Sequence, residues 1–429
     1  MPSTQAIEKA DVDRSKILFK RWAWVSLLFL FIVAVLGVFL RSFYLSPVPG
    51  LNYKFWLHGH SHVAFLGWIF NALYVALVAA YVQKERLNSF DRLFWAFQLT
   101  VLGMLILFPL QGYAAGSIIV STLHIFLSYF FAWRFLKDRR KDTQPGDRHR
   151  FSFVIVRFAI ALMLISSIGP FALGPIMANG LSATHWYPLA IYFYLHFQYN
   201  GWFLFAIMGL FFFWLEKNNI AYSKRDGNAF FWLNALAAVP AYASSVLWTQ
   251  PPVWLYVLAG LAAFAQLFSL YFLFRILSVV RQQWINRLGK MVALLWLLVL
   301  MSLVVKNILQ LAEALPFVAD LAYRQRNLVI AYLHLNFIGI TTFFLLGWFV
   351  QQRWLDLSTG RQQTGMWVFI MGFILSELAL VLQVLFHVNG LPGVTHYFSL
   401  LFYLSLIMPI GLGLVCITQR QKKVFSESM

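Results

Sequence analysis

The chain has 429 residues and a formal net charge of +18, yet only 11% of its residues are charged and 61% are hydrophobic, with a mean hydropathy of +0.72. That balance excludes a soluble core and places the chain in lipid. The single cysteine, Cys416, excludes an internal disulfide, and the lack of a basic domain outside the apolar segments argues against nucleic acid as a partner.

In chain order, residues 1–20 are polar, and no small-residue cleavage site follows the first apolar run, which is therefore expected to remain as a span. Windows of about 20 residues, the length that crosses a ~30 Å hydrocarbon core, find runs at roughly 23–44, 55–81, 93–115, 117–136, 152–175 and 186–214. A second set follows at roughly 229–249, 253–279, 291–311, 328–350, 365–386 and 395–418. The expectation is an all-α integral membrane protein with about twelve transmembrane helices in one bundle and both termini cytoplasmic. Its parts are a cytoplasmic segment 1–22, a membrane domain 23–418 and a cytoplasmic tail 419–429.

Basic residues test the count independently, because short cytoplasmic loops hold the Lys and Arg excess. Lys84, Arg86 and Arg92 follow span two, and Arg134, Lys137, Arg139, Arg140, Lys141, Arg148 and Arg150 crowd the loop after span four. Lys217, Lys224 and Arg225 continue the alternation, followed by Arg275, Arg281, Arg287 and Lys290, then Arg353 and Arg361, then Arg420, Lys422 and Lys423. The opposite loops hold little beyond Arg41, Lys54, Arg324 and Arg326. The net charge is thus accounted for by loop orientation and by attraction to anionic lipid.

With this orientation, nine of the ten histidines fall in or beside the outer half of the membrane, His149 being the exception. His58, His60 and His62 open span two in HGHSHVAFLGW, and His124 lies in span four. His185 and His196 begin and centre span six, His334 lies in span ten, and His387 and His396 flank the last outer loop. Ionisable groups at membrane depth are functional candidates, and imidazoles from several helices at one depth can hold heme or a metal. His62 and His334 are each expected about 10 Å below the outer surface, a depth compatible with one bis-histidine heme. His58 and His62, four residues apart on one helix face, offer a small metal site as the rival reading.

A twelve-span chain with histidines in spans two, six and ten resembles subunit I of the heme-copper oxidase superfamily, which includes the nitric oxide reductases. The clearest segment is NLVIAYLHLNFIGITTFFLLGW, residues 327–348, similar to the family's span-ten segment, where a His-x-His pair binds two hemes. Here the pair reads Tyr332, Leu333, His334, so the resemblance gives His334 the low-spin heme and leaves Tyr332 where the high-spin heme ligand stands. HVAFLGWIFNALY makes His62 the other low-spin ligand, while an alignment on NALY moves that role to His60. YLHFQYNGWFLF makes His196 a copper ligand, but the family's His-His pair is missing from span seven, FWLNALAAVPAYASSVLWTQ. His124 and His185 are the substitutes for a second metal.

The resemblance implies a low-spin b-type heme, with copper or another second metal in question, and an outward-facing centre that carries electrons or handles oxygen or nitric oxide. An enzyme of this kind is a terminal oxidoreductase of the respiratory chain in a bacterial cytoplasmic membrane, served by an electron-donor cytochrome or partner subunit. The alternatives are a non-enzymatic heme sensor or electron-transfer subunit and, more distantly, a metal or solute transporter. Lys306 and Glu377, charged groups inside spans nine and eleven, read either as proton relays or as paired structural groups.

Overall fold

The computed structural model describes residues 4–139 and 150–426. Among these the chain is helical and contains no strand; Val82 and Arg139 form one isolated bridge. Twelve helices among the described residues are long and apolar enough to cross a membrane: Ser15–Ser42, Tyr53–Tyr81, Lys84–Gln111, Ala115–Lys137, Phe151–Ala178 and Trp186–Lys217, then Lys224–Thr249, Val253–Trp284, Lys290–Glu313, Arg326–Gln351, Gly360–Val388 and Tyr397–Gln419. They are numbered here as spans one to twelve. Helices satisfy every backbone polar group within the segment, which is what a hydrocarbon solvent demands.

Spans one and three begin eight or more residues earlier than hydropathy indicates, span one at 15 rather than 23 and span three at 84 rather than 93. Contacts at Asp91 join the two early segments. Asp91 on span three accepts hydrogen bonds from Arg21 at 2.7 Å, Trp22 at 2.8 Å and Trp95 at 3.1 Å, the first two of which tie span one to span three. His149 and the basic residues of 140–149 lie outside the described residues.

The chain divides into two compact units, Met1–Arg140 with Leu345–Met429, and Lys141–Phe344. Neither boundary is a Pro- or Ser-rich linker, and the second falls inside span ten.

In the first unit, Asn71 and Gln98 exchange amide hydrogen bonds of 2.9 and 3.2 Å between spans two and three, and each also donates to a carbonyl of its own helix. In the same unit Trp22, Tyr74, Phe94 and Phe97 form a buried aromatic cluster. Spans eleven and twelve approach at glycines. A Cβ on Gly411 would collide with the Phe369 amide and with the Gly365 carbonyl, and one on Gly372 would come within 2.8 Å of the Met408 nitrogen. Small residues at such crossings let backbones touch where lipid supplies no hydrophobic drive.

In the second unit, Asn234 donates to Ser269 at 2.7 Å, Gln198 to Ser166 at 2.9 Å, and Ser152 to Glu216 at 2.7 Å. These tie span seven to span eight and span six to span five. Beyond the end of span six, burial and the neighbouring Glu216 carboxylate both raise the pKa of the Tyr222 phenol, which therefore stays protonated.

Candidate functional site

Three of the spans that carry the histidines share a local feature. Each leaves the α-helical register for a π-helical segment immediately after a histidine: Val63–Phe70 after His62, Phe197–Phe203 after His196, and Leu335–Thr342 after His334. Such segments are rare and mark functional positions in helices. In span ten the hydroxyls of Thr341 and Thr342 donate five residues back, to Asn336 and Phe337, which matches the wider turn. Spans two and six are also the most enclosed of the twelve.

His62 is held by its own helix. Its Nδ1–H donates to the His58 carbonyl at 2.9 Å, and the ring stacks on Phe108 with centroids 4.1 Å apart. A carbonyl can only accept, so Nδ1 carries the proton and Nε2 keeps its lone pair. An imidazole oriented through one nitrogen by a backbone carbonyl, with the other free to bind, is the arrangement of a metal-bound histidine. His60, two residues earlier and about 200° around the helix, packs towards span one, with its Cε1 3.3 Å from where a Cβ at Gly37 would stand. The two candidates therefore face different neighbours. His58 shares the His62 face, its ring edge-on to Tyr113 at 4.6 Å.

His124 is almost fully buried, between Phe70 and Phe97. The Thr100 hydroxyl donates its one proton to the Phe97 carbonyl at 2.7 Å, so towards His124 Nδ1, 2.8 Å away, it accepts. His124 is thus the Nδ1–H tautomer, and its buried Nε2 meets no hydrogen-bond partner among the described residues.

His196 spends both nitrogens. Its Nε2–H donates to the Ala238 carbonyl at 2.8 Å, and its Nδ1 accepts from the Asn200 amide at 3.3 Å. The acceptor lies two residues before Pro240, at which span seven passes from α-helix into a 3₁₀ segment, Pro240–Thr249. In that tighter turn Tyr242 N–H bonds to Val239, leaving the Ala238 carbonyl to the imidazole. In this arrangement His196 offers no lone pair to a metal. His185 stands eleven residues before His196, about 16 Å along the helix, where its ring lies edge-on to Trp248 at 5.1 Å. Among the described residues no group of three or more His, Cys, Asp or Glu side chains is arranged to hold a metal ion.

His334 is half-buried at the head of its π-segment, and two residues before it the Tyr332 ring lies edge-on to Tyr199 at 6.2 Å. Of the charged groups within spans, Glu377 lies within electrostatic reach of Arg41, and Lys306 is buried with one long contact, 3.5 Å to Asn307.

The signal common to the three π-segments was present in the sequence and was missed by single-residue reading. It is His-x-x-aromatic-x-Gly: HVAFLG at 62–67, HFQYNG at 196–201 and HLNFIG at 334–339, spaced by 134 and 138 residues. The first two glycines have a packing reason, since a Cβ at Gly67 would come within 2.9 Å of Val101 and one at Gly201 within 3.0 Å of Leu162. Compared with models of protein families and with curated proteins, the sequence matches none.

Proposed function

We propose that the protein is a heme-bearing integral membrane protein that carries electrons, resembling heme-copper oxidase subunit I but without that family's copper at His196. The observation that carries this reading is His62, a half-buried imidazole with Nδ1 fixed on the His58 carbonyl and Nε2 left to coordinate. Residues of this kind fit an axial heme ligand, and iron bound there would supply one-electron chemistry. Phe108 and Tyr113, which flank the imidazole, orient it and keep water from its face. His334, at the matching place in its own span, is the second ligand expected from the sequence. The hydrogen bonds of His196 to Ala238 and Asn200 speak against a copper centre and hence against oxygen reduction. The reading includes cytoplasmic termini and a bacterial cytoplasmic membrane, with a donor cytochrome or subunit as electron source.

Heme and metal analysis of the purified full-length chain tests it. The expected composition is b-type heme at one or more per chain, with copper well below one and oxygen consumption negligible. Heme-free protein would remove the reading, and stoichiometric copper lost on His196→Ala would restore an oxidase.

A further inference from the structure

Span nine carries a polar face that the heme reading does not use. Lys306, Gln310 and Glu313 follow one another at four and three residues, so they share one side of the helix, with Lys306 and Glu313 about 10 Å apart along its axis. Lys306 and Gln310 are buried, whereas Met301, Val305, Ile308 and Leu309 are exposed on the remaining surface. Around this face stand Tyr199 and Tyr332, both within electrostatic reach of Glu313, and His196, within reach of Lys306. Tyr332 in turn lies beside Asn200 and Asn336. Two buried carbonyl oxygens, Gln310 Oε1 and Asn200 Oδ1, have no hydrogen-bond partner among the described residues. Charged side chains inside a span are costly and recur where protons are relayed, and buried acceptors of this kind are commonly satisfied by water.

We propose that Glu313, Gln310 and Lys306 form a proton-exchange path joining the end of span nine to the buried amine. In the transfer step the Glu313 carboxyl loses its proton to a bridging water, and that water gives a proton to the neutral Lys306 amine. One O–H bond breaks and one N–H bond forms, leaving carboxylate and ammonium, and no electrons move. The path lies wholly within the second unit and does not depend on heme.

The single native cysteine makes a clean test possible. In a full-length Cys416→Ala background, Lys306→Cys places a thiol at the buried end, and its S–H infrared band reports exchange on transfer to heavy water. The band is expected to convert at least about tenfold faster than that of Leu309→Cys on the lipid face, where no water reaches. Adding Gln310→Leu should slow the Lys306→Cys exchange by a comparable factor. A second readout needs no cysteine. The carboxyl band lost in Glu313→Gln should persist to a pH about one unit higher in Lys306→Met, because the amine that takes its proton is gone. Equal exchange at the two thiols, indifference to Gln310→Leu, or an unmoved Glu313 band would overturn the path.

Discussion

One hydroxyl proton sets the state of His124. Because Thr100 gives that proton to the Phe97 carbonyl, the imidazole must donate to Thr100, and its buried Nε2 lone pair is left without a hydrogen-bond partner among the described residues. Thr100→Val keeps the shape and removes the acceptor, stranding a buried N–H at a cost of about 1–3 kcal/mol. Thermal unfolding of the full-length protein in detergent should therefore show a lower midpoint for Thr100→Val and a near-native one for Thr100→Ser. Equal midpoints for Thr100→Val and the parent would mean that the hydroxyl does not hold the ring. The same reasoning separates His62 from His196, which begin similar segments: one nitrogen is committed in the first and both are committed in the second.

At the level of elements, departures from α-helical register place the site groups. Pro240 lacks the N–H that an uninterrupted α-helix would use, and the 3₁₀ turn that follows frees the carbonyl that takes His196. Glycines govern how closely helices approach. Gly365, Gly372 and Gly411 sit where spans eleven and twelve touch backbone to backbone, so Gly411→Ile should push the helices apart and cost about 1–3 kcal/mol or more. Gly289 and Gly360 have nothing within reach of an added Cβ, so Gly360→Ala should leave the unfolding midpoint within a degree or two, by roughly the ±0.5 kcal/mol of surface substitutions. A midpoint for Gly411→Ile as high as that for Gly360→Ala would contradict the close crossing.

For the whole molecule, hydropathy alone located all twelve spans, because lipid imposes one rule on every segment and the apolar runs are long. It misplaced the starts of spans one and three, where the polar residues are held by contacts at Asp91 distant in sequence. The histidines were legible as a set from their spacing. What each nitrogen does was not, since it depends on Thr100, Ala238 and Asn200, whose approach is a property of the folded chain. The polar face of span nine was visible only at Lys306, because Gln310 and Glu313 are ordinary residues until the burial of the first and the neighbours of the second are known. The alternation of basic loops yields a topology prediction. Reporters placed in 140–149 or after residue 429 should be cytoplasmic, and one placed in 176–184 should be external. An external C-terminus would invert the assignment of every histidine to its leaflet. The central claim, a heme held through His62, is tested most directly by the reduced-minus-oxidised spectrum of the full-length protein and its variants. The account predicts a low-spin b-type spectrum in the parent and in His60→Ala, and its loss in His62→Ala with the protein still inserted, because iron with one imidazole does not stay six-coordinate. An unchanged spectrum in His62→Ala, or no heme spectrum in the parent, would contradict it.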